Sequence, residues 1–156
     1  MSLEKATAYL EKAGYADRIK LFDISTATVP EAAAAIGCEE CHIAKTLSFS
    51  QKEGCALIVM AGDRKIDNPK YKARSSQKAT MLSFEEAANL VGHEVGGVCP
   101  FGVNEGVRIF LDVSLKEYDT VYPAAGNAGS AVRLTPEELE KILPEAEWID
   151  VCKSRA

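Results

Sequence analysis

Three glycines and a proline punctuate Gly96-Gly97-Val98-Cys99-Pro100-Phe101-Gly102 at a spacing that no ordinary packing need explains. Glycine admits positive φ and lets other atoms approach the backbone, while Pro100 fixes its own φ and biases Cys99 toward an extended conformation. A loop so made can aim successive N–H groups at an anionic or carbonyl oxygen; the competing reading is a tight connection between a helix and a strand. Lys45, within Ile43-Ala44-Lys45-Thr46-Leu47-Ser48-Phe49, is the candidate for a fixed positive charge. At the mouth of an apolar strand its ammonium either reaches back to water or is presented in a cleft.

Other side chains capable of chemistry carry weaker signals. Cys38-Glu39-Glu40-Cys41-His42 has the form of a c-type haem attachment site, and its Cys-x-x-Cys also suits zinc or a redox pair. Haem attachment goes with export, which no apolar leader supports, and zinc would need ligands from Cys55, Cys99 or His93 without a second closely spaced pair. No metal and no cofactor is therefore expected. Five cysteines are an odd number in a chain long enough to fold without staples, which favours reduced thiols. His93 beside the glycine loop could serve Cys99 as a base, although a lone histidine near a loop is more often a hydrogen-bonded structural residue.

The formal net charge of −5 argues against a protein that coats nucleic acid by charge alone. The distribution is uneven: Arg64, Lys65, Lys70, Lys72, Arg74 and Lys78 face a single acid, Asp67, within fifteen residues. Such a window is either a solvated face or a phosphate-contacting patch. With 47% hydrophobic and 26% charged residues, the 156 residues read as one domain, 1–156, with its own core. The longest apolar run, Cys55 to Ala61, is far too short to span a bilayer, so no membrane partner and a cytoplasmic location are expected.

The elements that must position these residues follow from periodicity. Leu3, Ala6, Tyr9, Leu10 and Ala13 recur at helical spacing, with Ser2 as N-cap and Gly14 as stop. Ile19 to Phe22 reads as a strand, and Thr28-Val29-Pro30-Glu31 opens an Ala-rich helix ending at Gly37. The Lys45 strand turns through Gln51 to Gly54 and pairs as a hairpin with the continuously apolar Cys55–Ala61. Lys78 to Leu82 suggests a short strand, and Ser83-Phe84-Glu85-Glu86 a capping box for a helix reaching Gly92. Arg108 to Val113 is a strand whose Asp112 sits either on the exposed face or toward the cleft. A second loop of small residues, Ala124 to Ser130, contains Gly126 and Asn127; Thr135-Pro136-Glu137-Glu138 caps a last helix before a terminal strand at Trp148–Val151.

Lys45-Thr46-Leu47, then the Gly-x-x-x-Pro loop from Gly96 to Pro100, then the strand ending at Asp112 and the turn at Gly126 give an order that resembles the YbaK/EbsC family, from about Ile19 to Trp148. These are freestanding aminoacyl-tRNA deacylases related to the editing domain of bacterial prolyl-tRNA synthetases. The resemblance implies an α+β (mixed α/β) fold, a curved mixed β-sheet or partly open barrel with surrounding helices. It implies hydrolysis of the ester on a misacylated tRNA, with Cys, Ala or a similar small amino acid on tRNA(Pro) or another tRNA. Lys45 would be the catalytic cation. Gly96, Gly97, Val98, Pro100, Gly102, Asp112, Gly126 and Asn127 would bind the substrate, and Lys45 and the loop amides would converge on one hollow. Partners would be the 3′ acceptor end of tRNA and a synthetase. Charge counting adds Arg64, Lys65, Lys70, Lys72 and Arg74 as phosphate contacts. Some relatives carry a histidine or an acid after the second glycine turn, where this chain has Asn127, Ser130 and Ala131. The alternative is therefore a non-catalytic tRNA- or synthetase-binding module of the same fold. The sequence leaves the oligomeric state undecided.

Overall fold

The computed structural model describes residues 2–52, 54–93 and 96–155. Its centre is β3 (Cys55–Ala61), in which every residue is buried, as a continuous apolar run requires. The predicted hairpin is present: β2 (Ile43–Ser50) pairs antiparallel with β3, Lys45 opposite Met60 and Thr46 opposite Val59. The turn joining them includes Glu53, which lies outside the described residues. On the other side of β3 runs the parallel β5 (Arg108–Asp112).

Two short strands complete the sheet, β6 (Tyr122–Pro123) beside β2 and β8 (Glu147–Ile149) beside β5, both parallel. The order β6-β2-β3-β5-β8 leaves two edges, so the sheet is open and mixed, not a closed barrel. Two small antiparallel ribbons flank it: β1 (Ile19–Leu21) with β7 (Ser130–Val132), and β4 (Arg64–Ile66) with β9 (Cys152–Ser154).

The described residues form five α-helices, α1 (Ser2–Ala13), α2 (Val29–Ile36), α3 (Asn68–Ser75), α4 (Phe84–Val91) and α5 (Pro136–Ile142), of which α2, α4 and α5 begin at the capping signals read from the sequence. Ser83 and Thr135 form complete capping boxes with Glu86 and Glu138. Thr28 accepts from the Glu31 amide, but Glu31 turns its carboxylate to the Thr28 and Ser25 hydroxyls, so that box is half made. Ser2 lies inside α1, not ahead of it. The strand expected at Lys78–Leu82 reduces to a single bridge, Met81 to Phe49. The basic window contributes β4 and α3.

Side-chain alternation gives the sheet two faces of different character. Leu57 and Val59 point to one, where α1, α4 and the segment 98–101 supply Leu10, Val91, Cys99 and Phe101. Ile58 and Met60 point to the other, against Tyr71 of α3 and Phe110, Ile149 and Val151. Burying a large apolar side chain contributes roughly 1.5–3 kcal/mol, so β3, apolar toward both faces, anchors both cores.

Candidate functional site

The glycine loop is held by backbone packing. Gly96 has φ +83°, and a Cβ there would come within 2.9 Å of the Ala27 Cβ and 3.0 Å of the Ala128 Cβ. Gly97 presses closer: a Cβ would lie 2.4 Å from the Cα and N of Asn127 and 2.5 Å from the carbonyl carbon of Gly126. The two small-residue turns, far apart in sequence, therefore touch main chain to main chain. Gly126 is in turn backed by the Ser2 carbonyl and Gly102 by the Lys5 carbonyl, both of α1. Asn127 closes its own turn by accepting from the Gly129 amide at 3.0 Å, and Ser130 Oγ accepts from the Ala125 amide and donates to the Asn127 carbonyl.

A small hollow of about 180 Å³ opens beside this junction, lined among others by Thr46, Ser48, Met81, Phe84, Gly96 and Val98. The Thr46 hydroxyl is buried and has no hydrogen-bond partner among the described residues. Nor does any acceptor among them take the amide hydrogens of Gly97 and Val98. Pro100 is buried behind the turn. Unsatisfied backbone donors near a buried hydroxyl are uncommon and can receive a carbonyl or anionic oxygen.

Lys45 is not in that hollow. It shares its face of β2 with Leu47 and Phe49, whereas Thr46 and Ser48 face the glycine turn. Its ammonium, half-buried, donates to the carbonyl of Arg64 at the start of β4. Burial, and secondarily Arg155, lowers its pKa from the ordinary lysine value; Cys152 and Asp63 partly oppose this. The expected convergence of Lys45 with the loop amides is thus corrected: strand alternation puts them on opposite faces of the sheet.

Asp112 needs a similar correction. It is buried on the face shared with Phe110, and its two oxygens accept from the amides of Ser114 and Val151, each at 2.9 Å. It starts a 3-10 turn and fastens the chain ahead of β9; it does not turn toward the glycine loop.

The basic window is largely neutralised by acids distant in sequence. Arg64 makes a two-pronged pair with Glu117 at 2.7 and 2.8 Å, Lys70 meets Asp150 at 3.1 Å and the Cys152 carbonyl at 3.2 Å, and Arg74 pairs with Glu147. The pairing pushes the Arg64 pKa up and holds Glu117 below the usual carboxylate range. Lys65 and Lys72 remain exposed, with no acidic partner among the described residues.

The suspected thiol and imidazole pair exists geometrically, with Cys99 Sγ 3.6 Å from His93 Nε2. Both are buried, however; His93 is held by Ser2 Oγ at 2.9 Å and the Phe101 carbonyl at 2.7 Å, and burial pushes the Cys99 thiol up to about 12. A thiol so protonated is a poor nucleophile. Cys38 and Cys41 are half-buried with pKa values raised by burial, and His42 bonds the Thr120 carbonyl and packs on Tyr118. Among the described residues no three His, Cys, Asp or Glu side chains are grouped to hold a metal ion, and no helix is long and apolar enough to cross a membrane.

Residues 24–142 match the family described as aminoacyl-tRNA editing domain. The chain belongs to that family. It is 45% identical over 154 residues, 98% of both chains, to the uncharacterized protein YwhH of Bacillus subtilis (strain 168). Proline--tRNA ligase of Kosmotoga olearia is 32% identical over 90 residues, which make up 57% of this chain and only 16% of the ligase. Among solved structures, a protein described as a candidate trans-editing enzyme for prolyl tRNA synthetase superposes with a TM-score of 0.87 at 30% identity, covering 98% of each chain. The hypothetical protein APE2540 gives 0.84 at 26% identity, covering 96% of this chain and 99% of the other. Family membership supports a role in tRNA editing and accounts for the mixed sheet with helices on both faces. The sequence reading of this editing domain missed Thr46, Ser48, Met81 and Phe84 as lining residues. Strict alternation along Ala44–Ser50 would have separated Thr46 from Lys45 beforehand.

Proposed function

We propose that this chain, residues 1–156 acting as one editing domain, is a trans-editing hydrolase. Its substrate is a tRNA carrying a wrong, small amino acid at its 3′ end, cysteine or alanine on tRNA(Pro) being the first to try, and it acts in the cytoplasm beside a synthetase. The carrying observation is the pair of amides, Gly97 and Val98, with no acceptor among the described residues, in a turn packed on Gly126 and Asn127 whose Val98 lines the hollow. An aminoacyl ester is already activated, so donors placed for the developing oxyanion, together with exclusion of bulk water, supply most of what its hydrolysis requires. In this reading Thr46 orients the substrate or the attacking water. Lys45, tied to the Arg64 carbonyl, positions β2 and contacts substrate only if its ammonium is released. Lys65 and Lys72 are left as the phosphate contacts of the window.

A second reading follows from the hollow's chemistry: among the described residues its lining contains no titratable side chain, which suits a tRNA-binding module without turnover. Single-turnover deacylation of a panel of misacylated tRNAs separates the two. Hydrolysis of at least one small aminoacyl-tRNA, slowed about tenfold or more by Thr46→Val, supports the hydrolase. Retention of tRNA without product supports the module. Lys45→Ala abolishing turnover while Thr46→Val leaves it intact would move catalysis to the lysine and overturn the amide-led account.

A further inference from the structure

A cavity with a positively charged rim lies on the sheet face turned away from the glycine turn. It encloses about 480 Å³, within the range of small-molecule sites. Its floor is apolar, built from Ile58, Phe110, Ile149 and Val151 of the second core. Its rim carries Lys52, Arg74 and Arg108, and among the described residues no aspartate or glutamate lines it. That sign is unexpected in a chain of net charge −5.

The two arginines are placed differently. Arg74 is held by Glu147 and sits 5.8 Å from the Phe110 ring centroid. Arg108 lies 4.9 Å over the same ring, is exposed, and has no acidic partner among the described residues. A guanidinium laid across an aromatic ring offers a flat surface for a base and forked donors for a phosphate. Gln77, which also lines the cavity, is fixed by donating to the Ser50 carbonyl at 2.8 Å, so part of the rim is preorganised.

We propose that this cavity binds a nucleoside monophosphate unit, its base against the apolar floor and the Arg108–Phe110 stack and its phosphate on Arg108 and Lys52. The unit is either a free nucleotide or one unpaired residue of an RNA. The site is separate from the hollow at Gly96–Val98 and does not depend on the hydrolase reading, since its readout is binding.

The test is titration of the full chain by calorimetry and amide NMR with AMP, adenosine, inorganic phosphate and a 5′-phosphorylated tetra-adenylate. AMP is expected to shift amides around Gln77 and Arg108 and to bind at least about tenfold more tightly than adenosine or phosphate, with Arg108→Ala removing about tenfold in affinity. Arg108 is exposed, so that variant keeps the fold, and its amide spectrum checks this. Binding of the tetra-adenylate at least as tight as AMP assigns the site to RNA, and weaker binding assigns it to the free nucleotide. Absence of binding by both, equal affinity for adenosine, undiminished affinity of Arg108→Ala, or shifts centred on Gly97 would each overturn the proposal.

Discussion

The glycine turn at 96–97 and the basic window at 64–78 depart most visibly from average composition, and the fold treats them in opposite ways. In the turn the unusual residues are demanded by contact, because two backbones pack with no room for a Cβ between them. In the window the excess charge is mostly cancelled, because Glu117, Asp150 and Glu147 arrive from later in the chain. A steric peculiarity in sequence therefore reports on structure directly, while a charge peculiarity reports only on what its neighbours leave unpaired.

Substituting Gly97→Ala tests the steric half of that contrast most severely. The added methyl meets main-chain atoms of Asn127 that cannot rotate away, so a loss of about 2–4 kcal/mol is expected in urea unfolding. Gly106→Ala is the control: φ is also positive, at +90°, but no atom lies within 4 Å, so only backbone strain of about 1–2 kcal/mol remains. Equal losses at the two sites would show that the turns do not pack as described.

An intermediate effect is expected where the two regions' supports diverge. Asp112→Asn keeps one acceptor oxygen but presents an NH₂ group to a backbone amide that had been satisfied at 2.9 Å. Leaving one buried N–H unpaired costs about 1–3 kcal/mol. Hydrogen exchange at Val151 should accelerate in the variant while the Gly97 region is unchanged; a uniform change across the chain would deny that Asp112 acts as a local fastener.

Much of the fold is legible before any coordinates. The capping residues before α2, α4 and α5, the positive-φ glycines after α2 and α4, and the unbroken apolar run of β3 are local signals that tertiary structure had no reason to override. The three-residue strands β4 and β9 are not legible, because Arg64–Ile66 and Cys152–Ser154 gain strand geometry only by pairing with each other. At the site, the sequence marks the glycine turn but not its partners. Thr46 and Phe84 look like ordinary strand and helix residues until the topology brings β2, α4 and the turn around one hollow. Lys45 misleads for a related reason: a lysine beside a motif suggests chemistry, while the pleat decides which way it faces.

The electrostatic half of the contrast should yield the smallest effect, and its dependence on pH gives it a sign. Glu117 is held below its ordinary value of 4.5 chiefly by its hydrogen bonds to Arg64. A carboxylate whose folded pKa is depressed adds stability that is fully present above the unfolded value and is lost as pH falls through the folded one. Because Glu117 is more than half exposed, solvent screens the pair and the contribution at pH 7 is about 0.5 kcal/mol. Unfolding of the native chain and of Glu117→Gln should therefore differ by that amount at neutral pH and low salt. The difference should shrink as the pH is taken below the depressed pKa, and should fall as well in about 1 M salt, where screening is short-ranged. A gap that persisted in acid would mean that Glu117 stabilises the chain through packing, and the cancellation of charge in the basic window would then have to rest on the pairs of Arg64 with Asp63, Lys70 with Asp150 and Arg74 with Glu147.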